Sequence, residues 1–487
     1  MARRRLARTD PIATIRHGAR GILKSRVDDR NGDPRMGGDE IGMSAVRDEV
    51  DLERGATAGP LAALRVRCMT CGATTTADRP LTRCETCGGL LDVEIPLDRP
   101  VGRDAFGADL APALRHSGVW RYRPLLPALP DEAIVSRWEG NTPLYHDDRL
   151  AAYAGLDAGQ LAFKHEGHNP TGSFKDRGMT VGVSHARAVG ARIVACASTG
   201  NTSASLASYA AAAGMPSLVL IPEGKISGGK LAQTLAYGAR VVQIDGDFDQ
   251  ALHLLRELTD AYDVYLVNSV NPFRLEGQKT IIFEMLEQLD WNVPDVIALP
   301  GGNLGNTAAF GKALSELFQV GLIDRIPRLA VIQAAGAAPF AAYHAGGWSK
   351  FEAVVAETLA TAIKIGNPAS TPRARRSIEQ TVGLVTTVSD DEILDAKAEI
   401  DRCGIGCEPA SAASLAGLRR LVAEGTIAPD ARAVGLLTGH VLKDSDAVIA
   451  YHLRDRQGEP RPGANRPLSV AADLKALEQA LSDALHS

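Results

Sequence analysis

The chain contains no run of about eighteen apolar residues free of glycine, proline and charge, so nothing in it reads as a membrane span. Its most apolar stretch, Ala204 to Pro222, is broken by Gly214 and Pro216. It has no basic excess either. Lys and Arg number 53 against 58 Asp and Glu, and a net charge of −5 gives no footing for nucleic acid as a partner. Cysteine is scarce: of seven, four form two tight pairs, and Cys196, Cys403 and Cys407 are scattered. That excludes a disulfide scaffold and suits a reducing compartment, which places the protein in the cytoplasm. No apolar segment follows Arg3–Arg5, which excludes a secretory signal. Residues 1–60, polar and turn-rich around Asn31–Pro34 and Gly37–Glu40, read as a disordered extension. Their Arg-rich, acid-poor start is also the composition of an organellar transit peptide.

What is present is 487 residues with 45% hydrophobic content, enough for two or three domains. Two knuckles come first, Cys68-Met69-Thr70-Cys71-Gly72 and Cys84-Glu85-Thr86-Cys87-Gly88. Each turn aims two thiolates at one point, so Cys68, Cys71, Cys84 and Cys87 would complete a tetrahedral structural zinc site over residues 61–97. A metal-free or redox-active thiol pair is the alternative. A Pro-rich connector with short helical pieces runs from about Ile95 to Pro130. Strands and helices then alternate. Strand-like, mostly apolar runs at Arg192–Cys196, Arg240–Ile244, Val264–Val267, Val296–Leu299, Leu329–Ile332 and Ala433–Leu437, separated by helices, predict parallel sheets covered on both faces. In such sheets ligands bind beyond the carboxyl ends of the strands.

The informative motifs follow strands. Asn169-Pro170-Thr171-Gly172-Ser173-Phe174-Lys175-Asp176-Arg177-Gly178 places a lysine where a turn enters a helix, with Ser173 as a candidate cap. The positive end of the helix dipole disfavours a charged amine there, and a neutral amine can form a Schiff base with a carbonyl. Ser198-Thr199-Gly200-Asn201-Thr202-Ser203 gathers hydroxyls, an amide and helix N–H groups, which suits a carboxylate or plain N-capping. Pro300-Gly301-Gly302-Asn303-Leu304-Gly305-Asn306-Thr307 opens a helix and suits phosphate, but it is neither a P-loop nor G-x-G-x-x-G. Thr438-Gly439-His440 puts a hydroxyl at a strand end, where it can meet a ring nitrogen; His440 fits a structural histidine better than a catalytic one. A reactive lysine, a phosphate loop and a strand-end hydroxyl together suggest pyridoxal phosphate.

These motifs resemble the threonine synthases, a branch of the fold-type II pyridoxal-phosphate enzymes that also include tryptophan synthase β and threonine dehydratase. The likeness covers roughly residues 135–450. It extends to Pro222–Lys225 with Gly229–Gln233, Asn268–Lys279 and Glu408–Ala413, which favour threonine synthase over the dehydratases. The resemblance implies a two-domain α/β fold of the tryptophan synthase β type behind a zinc-ribbon-like module. Residues 98–169 with 286–487 would form the large cofactor-binding domain, and 170–285 the smaller one. Lys175 would hold the cofactor and act on substrate protons. Asn201 would meet its phenolic oxygen, Gly302, Asn303, Leu304, Gly305 and Asn306 its phosphate, and Thr438 its ring nitrogen. Thr199, Gly200 and Thr202 fall where the family holds the substrate carboxylate; Asn268, Ser269, Arg274 and Asn303 fall where it holds the substrate's phosphate. The substrate implied is O-phospho-L-homoserine, the state a homodimer. Val441 stands where glycine is common, and His165 and His168 flank the lysine segment unusually. A cysteate synthase using phosphoserine and sulfite would use the same sites. A threonine dehydratase has no need of Arg274 and Asn268, and a catalytically dead zinc-bearing interaction protein has none of Lys175.

Overall fold

Apolar runs form two sheets, mostly covered on both faces as expected, and a third, smaller sheet carries the cysteines. The exception is the edge strand Arg240–Ile244, which is largely exposed because among the described residues no element packs over its outer side chains. The computed structural model describes residues 60–487 except 99, 109, 224–227, 247, 263, 456–458 and 487. The expected extension therefore lies outside the described residues as far as 59, as do Gly224 and Lys225 of the resembling segments; Pro60 opens a short helix, Pro60–Ala63. The front sheet is antiparallel, with β1 (Arg65–Cys68) between β2 (Thr74–Thr76) and β3 (Leu91–Glu94). Gly72 and Gly88 take positive φ of 73° and 70°, which lets each knuckle close on the carbonyl of its first cysteine.

The six-stranded sheet has the order β12-β11-β10-β13-β5-β4. Its strands are β4 (Leu144–His146), β5 (Leu161–His165), β10 (Val296–Pro300), β11 (Arg328–Ala334), β12 (Leu384–Val388) and β13 (Ala433–Leu437). All pair in parallel except β4, which runs antiparallel to β5. Alternate residues of β10 enter opposite cores: Ile297 and Leu299 on one face, Val296 and Ala298 on the other. The edge strand β12 was not among the expected strands; Thr386 and Thr387 interrupt its apolar run, and it is only half-buried. The second sheet, β8-β7-β6-β9, is wholly parallel and comprises β6 (Ile193–Ala197), β7 (Ser217–Pro222), β8 (Arg240–Ile244) and β9 (Val264–Leu266).

Seven helices shape the site. They are α1 (Lys175–Ala188), α2 (Asn201–Ala213), α3 (Gly228–Ala236), α4 (Pro272–Gln288), α5 (Gly305–Gln319), α6 (Thr371–Gln380) and α7 (Pro409–Ala423). Helices α1 and α4 cross backbone to backbone. A Cβ on Gly277 would lie 1.8 Å from the Arg177 carbonyl oxygen, and one on Gly178 would lie 2.8 Å from that of Arg274. Only glycine permits this approach, and it sets Arg274 beside the start of α1.

Candidate active site

Lys175 is the first residue of α1, at the turn expected for it. Ser173 does not cap the helix: Phe174 holds that position without a side-chain bond, and the Ser173 hydroxyl is buried with no partner. The preceding loop hydrogen-bonds to the end of β13, Phe174 N–H donating to the Thr438 carbonyl at 3.0 Å. Burial pushes the Lys175 ammonium down to about 7; the Arg274 guanidinium pushes the same way and Glu408 opposes. Beside it, Asp176 accepts from Thr171 N–H at 2.7 Å, Thr171 Oγ1 at 2.6 Å and Ser205 Oγ at 2.5 Å. The Ser205 bond fastens the first turn of α1 to α2, and the Thr171 bonds tie it to the loop that leads in. Burial nevertheless lifts the Asp176 carboxyl to about 6.

The structure brings Asn201 and Thr438 to one carboxylate. Asn201 Nδ2 donates to Glu408 Oε2 at 3.0 Å, and Thr438 Oγ1 donates to Glu408 Oε1 at 3.0 Å. Ser411 Oγ lies 2.9 Å from Thr438 Oγ1 and accepts the N–H groups of Thr438 and Gly439. Glu408 and Ser411 belong to a segment quoted for its likeness alone, with no role attached. The one local signal was an acidic residue before the Pro409 that opens α7; nothing local showed that it turns back to the end of β13. His440 accepts the Leu442 N–H through Nδ1, a structural role. His165 is buried, with Nε2 against the Gly406 carbonyl at 2.7 Å.

The glycine loop follows β10 as expected. Leu304 caps α5 in the left-handed region, φ 62°, unusual for a leucine and the kind of backbone strain that collects at binding sites. The backbone at Gly302 presses on the next loop, where a Cβ would lie 3.1 Å from the Ala362 carbonyl oxygen. Asn306 Oδ1 and Thr307 Oγ1 in the first turn of α5 are buried and partnerless, as is Asn201 Oδ1. Buried polar atoms rarely stay unpaired, so the Thr307 hydroxyl and the N–H groups opening α5 fit a phosphate, while the amide oxygens of Asn201 and Asn306 await a donor. Thr199, Gly200 and Thr202 form the half-buried turn into α2.

Arg274, in the first turn of α4, is 2% exposed. Its Nη1 donates to the Val267 carbonyl at 3.0 Å, its Nε has no partner, and no carboxylate pairs with it among the described residues. Burial holds this guanidinium down to about 10. An unpaired buried guanidinium is expensive, and an anion offsets that cost. Asn268 carries a structural bond that its sequence context did not show. Its amide is tied at both ends to the backbone of Ala197, at 3.0 and 2.9 Å, so it braces β6 and keeps one amide hydrogen free. Ser269 beside it is half-buried. Asn303 Oδ1 accepts the Ala369 N–H at 3.1 Å.

The sulfurs of Cys68, Cys71, Cys84 and Cys87 all lie within 4.8 Å of one another, with Cys68–Cys87 at 3.5 Å and Cys71–Cys84 at 3.7 Å. Four thiolates around zinc at about 2.3 Å would stand about 3.8 Å apart, so the set fits that ion. Hydrogen bonding from the Cys71 backbone, then Thr70, holds the Cys68 thiol down to about 6, toward the thiolate a metal needs.

Residues 135–439 match the family described as pyridoxal-phosphate dependent enzyme, and the chain belongs to that family. Within it the chain falls in the threonine synthase branch. It is 45% identical to the threonine synthase of Methanocaldococcus jannaschii over 419 residues, 86% of this chain and 99% of that one. It is 48% identical to that of Mycobacterium tuberculosis over 330 residues, 67% and 89% of the two chains. The fold also matches the Escherichia coli threonine synthase, TM-score 0.60 at 19% identity over 86% and 100% of the chains. Maize serine racemase shares it too, at TM-score 0.54 and 21% identity over 71% and 93%.

Proposed function

We infer that the chain is a threonine synthase, a lyase that converts O-phospho-L-homoserine and water to L-threonine and phosphate. The observation that carries this reading is a buried guanidinium with no carboxylate partner among the described residues, Arg274, standing near the buried lysine Lys175. A substrate with its own phosphate needs the second anion site; a plain hydroxy amino acid does not. Lys175 would hold the cofactor, Asn201 and Thr438 would meet its ring, and the Gly302–Asn306 turn its phosphate. When bound, the cofactor supplies an electron sink for charge developing on the substrate carbons. The turn at Thr199, Gly200 and Thr202 orients the substrate carboxylate at the N-terminus of α2. Lys175 takes the Cα proton and later returns one there. Arg274, Asn303, Ser269 and the free amide hydrogen of Asn268 hold the substrate phosphate, which leaves as the Cγ–O bond breaks. One proton leaves Cβ and one is gained at Cγ, hydroxyl from water ends on Cβ, and the water's other proton goes to the phosphate.

Residues 98–169 with 286–487 act as the cofactor domain and 170–285 as the smaller one. The four cysteines hold a structural zinc, and the enzyme works as a cytoplasmic homodimer, as its resemblance implies. The test is phosphate release and threonine formation from O-phosphohomoserine, with phosphoserine plus sulfite run alongside. Turnover of the second pair alone would reassign the chain to cysteate synthesis.

A further inference from the structure

Resting on that reading, we propose that Ser370 is a further residue of the substrate-phosphate site, its hydroxyl donating to a phosphate oxygen at the N-terminus of α6. Ser370 is the N-cap of this helix, where a serine normally accepts an N–H from the first turn. Here the side chain makes no such bond. The residue is fully buried, 0% exposed, and Oγ has no partner. A buried hydroxyl that declines its cap is placed for something else.

Its surroundings say what. The Ser370 N–H donates to the Asn303 carbonyl at 3.3 Å, and the Ala369 N–H to Asn303 Oδ1 at 3.1 Å. Ala369 also packs against the cluster that contains Ala197 and Val270. Asn268 is bonded to that same Ala197, and Ser269 lies between Asn268 and Val270. Ser370 therefore sits where the glycine loop of one sheet meets the Asn268–Val270 loop of the other. Those loops are the two arms of the proposed phosphate site. The positive end of the α6 dipole favours an anion there. One turn in, Arg373 is buried and keeps Nη1 unpartnered while its other nitrogens bind Asp92 and the Leu91 carbonyl.

The experiment compares Ser370→Ala and Ser370→Thr with the wild type as cofactor-loaded enzymes, using inorganic phosphate as probe. Because Oγ makes no bond within the protein, Ser370→Ala removes none from the fold. We expect the rise in melting temperature given by inorganic phosphate to shrink. We expect KM for O-phosphohomoserine and the phosphate inhibition constant to rise together by about tenfold. Visible absorbance and affinity for L-threonine, which lacks phosphate, should not move, and Ser370→Thr should restore binding. Unchanged phosphate affinity in Ser370→Ala would overturn the proposal, as would loss of the visible absorbance, which would place the hydroxyl on the cofactor. A wild type that neither turns over O-phosphohomoserine nor responds to phosphate would instead overturn the functional reading, and Ser370's role with it.

Discussion

A lysine buried near an unpaired guanidinium releases its proton easily, and Lys175 does so near pH 7. Only the neutral amine attacks the cofactor aldehyde. Reloading of cofactor-free protein, followed by visible absorbance, should therefore speed up as pH rises through 7 and level off above it. A midpoint near an ordinary lysine's, about 10.4, would contradict the environment described. Lys175→Ala should lose that absorbance and nearly all turnover. Arg274 has a different job. Arg274→Ala should raise KM for the substrate by roughly ten- to a hundredfold, the worth of a charged hydrogen bond, and leave cofactor content nearly intact. Loss of cofactor with unchanged KM would move Arg274 to the other phosphate.

At the scale of elements, the lysine helix is held by a buried ionic network. Arg177 pairs with Glu166 at 2.7 Å and Glu284 at 2.8 Å, and Lys164 pairs with Glu284 at 2.6 Å. These groups come from β5, the turn after it, α1 and α4, and all are at most 2% exposed. Arg177→Met would leave Glu166 without an ion-pair partner in the core and Glu284 with Lys164 alone, and should cost about 3–5 kcal/mol in urea unfolding. Burial alone would raise the Glu284 carboxyl; Arg177 and Lys164 outweigh it and hold it down to about 2. A depressed carboxylate adds stability above its unfolded value, about 4.3, and loses it as pH falls toward 2. The wild type should lose stability through that window, and Arg177→Met should show a shallower slope there.

At the scale of the whole molecule, the cysteine module is bolted to the helices that carry the anion sites. Leu90 enters the cluster behind the four-stranded sheet with Ala195, Leu220 and Leu255. Asp92 pairs with Arg373 at 3.1 Å and Arg376 at 2.6 Å, both of α6. The Val93 carbonyl accepts from Lys312 of α5, which also pairs with Glu276 of α4. Cys84→Ser should bind less than one zinc per chain by metal analysis and melt at lower temperature; an unchanged melting curve would dissociate the metal from stability. The same long-range wiring explains what was readable beforehand. The places of Lys175, Thr438 and the Gly302–Asn306 turn at strand ends and helix starts were legible because each is set within one strand-turn-helix unit, where period, glycine and dipole act over a few residues. Glu408 was not, since its partners lie 30 and 207 residues away, nor was the diversion of Asn268 to Ala197, 71 residues distant. By itself the sequence determined the parallel sheets, the cysteine knuckles and which turns lie at the carboxyl ends of strands. Only the tertiary structure decided which turns face one another, because the glycine-to-glycine crossing of α1 and α4 and the packing of Ala369 against the second sheet are contacts that no local pattern encodes.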